Sequence, residues 1–163
     1  MGPVGVEAKP DTRAQAVSAA VRGLLGGQRL AVVSTHTAGH PYANLVAFAE
    51  SPDLKSLFFA TARSTRKFEN LSADCRVALL IDNRRNREGD FHEAAAVTVM
   101  GSAGEAANAE KEAALRLYLA KHPYLEEFVR APTCALFKVY VQKYILVRNF
   151  QSVVEWRVEE ESD

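Results

Sequence analysis

The segment with the clearest chemical potential is Phe58-Phe-Ala-Thr-Ala-Arg-Ser-Thr-Arg-Lys67. An apolar run closes at Ala60, the hydroxyl residue Thr61 follows, and a short turn carries Arg63, Ser64, Thr65, Arg66 and Lys67 into what reads as the first turn of a helix. This arrangement suits a phosphate. Backbone N–H groups at a helix N-terminus lack intrahelical acceptors, and the helix dipole favours an anion there. Hydroxyls donate hydrogen bonds, a guanidinium grips two phosphate oxygens at once, and an ammonium acts as a point charge. Cations at that end oppose the dipole by ~0.3–1 kcal/mol each, so Arg63, Arg66 and Lys67 are oddly placed unless an anion offsets them. Residue types alone leave a second reading open, a solvated basic helix start beside a capping Ser or Thr.

Other chemistry is sparser. His36 and His40 flank a predicted turn and could be neighbours, but His40 reads as a turn residue and His122 as a helix-end residue, so no metal site is expected. Glu126, Glu127 and Glu159-Glu-Glu161 read as solvated charge. Arg84, Arg85 and Arg87 form a small basic loop, able at most to attract the phosphate of a nicotinamide cofactor or another anion. Trp156 and Phe150 fit a core or interface role better than a cover for a cofactor ring. No Gly-x-Gly-x-x-Gly fingerprint, Walker loop or nucleophile elbow occurs.

The elements that must position the basic segment follow from periodicity. Ala16, Val17, Ala20, Val21, Leu24 and Leu25 share a helical face that begins after Asp11 or Thr12 and ends at Gly26-Gly27. Leu30–Thr35 and Pro41–Glu50 form a hairpin about the turn Thr37-Ala-Gly-His40. Leu54–Thr61 is a third strand, 64–73 a short helix, Arg76–Asp82 a fourth strand, and Asn83–Asp90 a charged loop. Ala94–Ala106 is a strand, and Asn108 caps a helix to Lys121 with Ala113, Leu117 and Ala120 on its inner face. Tyr124–Val129 is helical, Thr133–Val147 a long strand, and Val153–Val158 a last short one. Hairpins dominate and βαβ alternation is missing, so the expected fold is mainly β (α+β), an antiparallel barrel with flanking helices.

At 163 residues the chain fits one domain, and its 48% hydrophobic content can fill one core. A loose tail is expected over 1–10, the domain over 11–158 and an acidic tail over 159–163. The 20 basic and 20 acidic residues cancel, which gives no general attraction to nucleic acid or an anionic membrane. Cys75 and Cys134 are expected as two buried free thiols. No apolar run approaches the ~20 residues of a membrane span, and residues 1–12 lack a signal-peptide core, so a cytoplasmic protein is expected.

The order Gly39-His-Pro-Tyr-Ala-Asn-Leu-Val-Ala-Phe48, Phe59-Ala-Thr61, Arg66-Lys67, Asn70-Leu71 and Arg76-Val-Ala-Leu-Leu-Ile81 resembles the pyridoxamine 5′-phosphate oxidase-like split-barrel flavoproteins. The resemblance is close over about residues 28–105 and looser elsewhere. It implies a six-stranded antiparallel split barrel and a homodimer with FMN at the interface. It implies that Asn44, Leu45 and Val46 line the isoalloxazine edge, largely through backbone groups. Ala60 and Thr61 would flank the ribityl-phosphate, Ser64, Arg66 and Lys67 would hold the phosphate, and Asn83 would contact the ring or phosphate. The oxidase proper carries an arginine where this chain has Asn44 and a glutamine near Ala94-Ala-Ala96, and its C-terminal Trp and Arg have no secure counterpart in Trp156 and Arg157. The implied substrate is therefore not pyridoxamine phosphate. The implied activity is an FMN-dependent oxidoreductase drawing on NAD(P)H. A non-catalytic flavin binder, a haem-binding or haem-degrading protein and a deazaflavin-dependent reductase are alternatives on the same barrel.

Overall fold

The computed structural model describes residues 10–159; the expected tails lie almost wholly outside them. The first helix, α1 (Pro10–Gly27), places Val17, Val21, Leu24 and Leu25 in the core and ends at the Gly26-Gly27 pair. Strands β1 (Leu30–Thr37) and β2 (His40–Glu50) pair from Leu30↔Ala47 to Thr37↔His40. Their two-residue turn has Ala38 at φ 48° and Gly39 at φ 79°. Two left-handed central residues give the turn whose twist matches the strands.

Strand β3 (Ser56–Ala62) is followed by α2 (Arg66–Ala73), β4 (Arg76–Asp82), the single-turn α3 (Asp90–Glu93) and β5 (Ala95–Glu105). Then come α4 (Asn108–Lys121), a 3-10 turn at Pro123–Leu125, α5 (Glu126–Arg130), the long β6 (Cys134–Arg148) and β7 (Ser152–Arg157). The sheet order is β3-β2-β1-β4-β5-β6-β7, and β3 pairs again with β6. Six antiparallel strands therefore close into a barrel. The first half of β6 pairs with β3 and its second half, from Lys143, with β7.

Closure is uneven. Strand β2 pairs with β3 only over Phe48–Glu50, so from His40 to Ala47 its far edge is split from β3. The backbone N–H of Phe48 donates to the Arg29 carbonyl. Alternation along the ladder then turns the N–H and C=O of Leu45 away from β1, into the split.

Two apolar clusters hold the architecture. Val33, Phe48, Phe59, Leu79, Val99 and Phe137 fill the barrel interior with one face of α1. Ala49, Phe58, Ala60 and Leu136, on the outer face, are covered by Ala114, Leu115 and Tyr118 of α4 and Val129 of α5. Strand β3 is thus buried on both faces. The inner face of α4 differs from the one expected: Ala113 and Ala120 are exposed, and Tyr118 rather than Leu117 is its centre. A helix this rich in Ala and Leu offers two nearly equivalent stripes, and the large ring decides between them. Asn108 is the first helical residue and Ala107 the cap. Both cysteines are free, but Cys75 is exposed, because it sits in the α2–β4 connection rather than within the ladder.

Strand β6 bulges where the register with β5 shifts between Met100 and Gly101. There a Cβ on Gly101 would run into the Tyr140 carbonyl oxygen, whereas Gly104 on the same strand has open space around it. Gly101→Ala is expected to lower stability by about 1–3 kcal/mol and Gly104→Ala to change it by less than about 0.5 kcal/mol, measured by chemical denaturation.

Candidate functional site

The split between β2 and β3 is closed at one end by α2, and here the chain gathers its most demanding polar groups. Helix α2 starts after Thr65, an N-cap in extended conformation whose hydroxyl accepts from the Phe68 N–H. The same hydroxyl donates to the Ala62 carbonyl at 2.9 Å and lies 2.8 Å from the Thr61 hydroxyl. Thr61 Oγ1 accepts from Lys67 Nζ at 3.0 Å. These bonds fit one direction: Lys67 donates to Thr61, Thr61 to Thr65, and Thr65 to the backbone.

Lys67 is 7% exposed and Thr61 is 2% exposed. Among the described residues no carboxylate pairs with the Lys67 ammonium, and burial pushes its pKa below the usual lysine value. One of its three N–H donors is used by Thr61. The first-turn amides of Arg66 and Lys67 have no intrahelical acceptor either. The Arg66 guanidinium is exposed, 5.3 Å above the Tyr42 ring of β2, which ties the helix start to the free edge of that strand. Asn70, one turn along α2 on the Lys67 side, is buried and donates to Thr35 Oγ1 at 3.1 Å. Thr35 lies opposite Tyr42 in the ladder.

Asn44 is two residues from Tyr42 on the same face of β2, opposite the fully buried Val33. Its Oδ1 is buried without a hydrogen-bond partner among the described residues. Such a group costs about 1–3 kcal/mol unless something supplies a donor. A buried cation and an orphaned acceptor therefore lie on elements bordering the same split.

The other expected site residues are distributed as follows. Val46 is buried on the inner face of β2 and Leu45 is 64% exposed on the outer face. Ala60 packs under α4, so only its backbone faces the split. Ser64 is exposed in the turn before α2. Asn83 follows the far end of β4, about 20 Å along the strand from α2. Its Oδ1 accepts from the Ala95 N–H at 2.8 Å, fastening β4 to β5. Arg63, grouped with the basic cluster on sequence, belongs elsewhere: it forms a two-pronged pair with Glu105 and its Nε donates to the Pro132 carbonyl. Glu105 raises the Arg63 pKa. Thr65, Tyr42 and Thr35 were not assigned site roles on sequence. Thr65 was within reach as the residue before the helix; Tyr42 and Thr35 are joined to it only by the fold.

His122 ends α4 as its C-cap, as expected, whereas His36 and His40 do not face each other. His36 lies opposite Pro41, not His40, and its Nε2 is 3.0 Å from the Asp74 carboxylate. His122 is fully buried, with Nε2 at 2.7 Å from the Phe48 carbonyl. Lys121 beside it reaches both the Leu25 carbonyl and Glu50, so the end of α4 is pinned to α1 and β2.

Three kinds of comparison bear on these features. No curated protein matches the sequence. Solved structures with the same fold include a haem-binding protein from Mycobacterium smegmatis, with TM-score 0.74 and 17% identity over 93% of this chain. This chain spans only 59% of that protein's length. General stress protein 26 from Bacillus anthracis matches with TM-score 0.64 and 17% identity, covering 87% of this chain and 98% of the other. An FAD-binding protein from Mesorhizobium loti matches with TM-score 0.63 and 15% identity, covering 79% and 92%. At these identities the likeness shows a shared fold. The sequence profile of pyridoxamine 5′-phosphate oxidase matches residues 17–148, from the inner face of α1 to the last residue of β6. With the barrel, its split and the α2 cradle all inside that span, the chain belongs to the pyridoxamine 5′-phosphate oxidase family.

Proposed function

We propose that this chain is an FMN-binding flavoprotein that works as a homodimer and passes electrons or hydride between NAD(P)H and an acceptor. The observation that carries this reading is Lys67, a buried ammonium with a hydroxyl but, among the described residues, no carboxylate beside it. A phosphate at the start of α2 would meet that charge, the free first-turn amides, the Ser64 hydroxyl and the Arg66 guanidinium. The flavin ring carries an imide N–H, the donor that the orphaned Asn44 Oδ1 lacks. Leu45 offers the ring its outward-turned N–H and C=O, while Val46 and the backbone of Ala60 and Thr61 wall the space between. The FAD-binding relative supports a flavin on this fold, and the anchor chemistry favours the single phosphate of FMN.

Bound there, FMN would supply the hydride and electron chemistry. The chain's residues would hold the phosphate, orient the ring and keep water from one side of it. No side chain of the cradle is placed as a general acid or base, which suits a reaction carried by a cofactor. Asn44 and the Ala94–Ala96 run stand where the founding oxidase has other residues, which argues against pyridoxamine phosphate as the substrate.

The dimer rests on the outer face of the sheet. Leu45, Val32 and Leu80 form one row across β2, β1 and β4, and Leu30 and Met100 flank it. Leu30 is 55% and Leu45 64% exposed. Contiguous apolar surface of this kind marks an interface, and a second copy of the same face would cover it. Asn83 would reach a flavin across that contact, through its amide nitrogen. The haem reading has less support: His36 and His122 are engaged, and the remaining His40 and His92 are exposed.

Four outcomes are expected. Replacing Arg66 and Lys67 by Ala should weaken FMN at least tenfold and riboflavin little, by fluorescence titration; equal losses would place the phosphate elsewhere. Lys67→Met should abolish tight FMN binding while leaving the apo chain as stable or more stable, by about 1 kcal/mol. Because burial lowers the Lys67 pKa, the unfolded chain holds the extra proton between the folded value and ~10.4. Apo stability should therefore rise with pH through that window, and Lys67→Met should remove the rise. Leu45→Glu should convert the dimer to monomer in sedimentation equilibrium without unfolding it.

A further inference from the structure

We infer that the free edge of β7 pairs antiparallel with the same edge of a second copy of this chain, in the register that sets Glu155 opposite the partner's Arg157. β7 stands last in the sheet order, and among the described residues no strand pairs with its far side. The Val158 N–H donates to the Gln142 carbonyl, in step with the Lys143↔Arg157 register. Alternation along the ladder then commits the backbone groups of Val154 and Trp156 to β6. Those of Val153, Glu155 and Arg157 turn outward. Such a row of unpaired N–H and C=O groups is a template for one more strand.

The space in front of that edge is open. A groove of about 560 Å³ is lined by all five residues from Val153 to Arg157, facing Arg13, Ala14 and Val17 of α1. Successive strand residues point to opposite faces of a sheet, so one groove borders all five only by running along the strand's edge. Edge strands are ordinarily shielded by proline, a bulge or a covering element. β7 holds no proline, its ladder with β6 has no register shift, and Val153 is 62% exposed.

The charges choose the partner. The Glu155 carboxylate lies 3.4 Å from Lys143 Nζ of β6 and 3.0 Å from the Arg157 guanidinium, whose side chain is 78% exposed. A two-fold axis through Trp156 places Glu155 opposite the partner's Arg157, and Arg157 opposite the partner's Glu155. One operation thus makes two opposite-charge pairs. Both residues are outward ones, so each pair also exchanges backbone hydrogen bonds. Sliding the partner by two residues sets Glu155 against itself, and sliding it by four sets Glu155 against Val153. The charge pattern therefore fixes the register, and a second copy carries the complementary pattern by symmetry. The same operation brings the two Trp156 rings side by side, each stacked on Tyr144 of its own chain at 5.3 Å. This contact is separate from the outer-face dimer and does not rest on the flavin reading. Used together, the two contacts build assemblies larger than a dimer.

The test is sedimentation equilibrium of the full chain, with the emission of Trp156, its one tryptophan, read over the same concentrations. The Leu45→Glu chain, monomeric at micromolar loading, is expected to dimerise again with a dissociation constant on the order of 0.1 mM, as suits so short a contact. Its Trp156 emission should shift along the same isotherm. The unsubstituted chain should pass from dimer to a larger species over that range. Arg157→Glu should weaken this step about tenfold or more in either background. Combining it with Glu155→Arg should restore the step, because the swap keeps opposite charges face to face. Hydrogen exchange should find the Val153, Glu155 and Arg157 amides unprotected at dilution and protected on association. Four results would overturn the inference: no association up to ~1 mM, association indifferent to Arg157→Glu, no recovery in the double swap, or protection of the three amides in the dilute chain, which would assign the edge to another segment. A chain that takes up no FMN yet associates with this pattern would refute the flavin reading and leave this contact standing.

Discussion

An ammonium removed from water needs a compensating charge, and Lys67 finds a threonine hydroxyl. A fold selected for stability alone would place a carboxylate there or an apolar side chain of similar length. Instead the surroundings are organised to keep the cation in place. Thr61 and Thr65 orient their hydroxyls in a single direction away from it, Thr65 caps the helix that carries it, and Asn70 ties that helix to Thr35. The barrel supplies the rest by failing to close: β3 leaves β2 after three residue pairs, so the space that a continuous ladder would fill is left between Asn44 and the start of α2.

The same economy of contacts explains the division of the outer sheet face. Where β2, β3 and β6 meet, α4 and α5 cover the sheet and β3 is buried on both sides. On the outer side of β1, β4 and the start of β2, none of the described helices contributes to the covering cluster, and Leu30 and Leu45 are exposed. One half of the sheet is therefore packed within the chain, and the other half is the face on which the proposed assembly and cofactor ring depend.

The strands were readable because each carries its own alternation, and β4 matches its sequence boundaries at both ends. The capped helix start that carries Lys67 was readable for a related reason: hydroxyls, cations and a helix start lie within seven consecutive residues. What the sequence could not reveal involves distant partners. Arg63 looks like its neighbours until Glu105, 42 residues on, claims it. His122 reads as a helix end, yet its imidazole is buried against a carbonyl 74 residues earlier. Asn44 entered through family resemblance alone, since an orphaned acceptor has no local signature. Ala38, Asn149 and Phe150 adopt left-handed backbones at positions where no glycine announces them.

The central claim is that Lys67 is a buried cation held ready for a phosphate. It is tested most directly by following the Lys67 side chain by NMR across a pH titration, in the apo chain and with FMN or riboflavin added. The expected result is a pKa below the ordinary lysine value in the apo chain, raised on adding FMN and unmoved by riboflavin. A Lys67 that titrates like a solvent-exposed lysine, or one that responds equally to both ligands, would contradict the account.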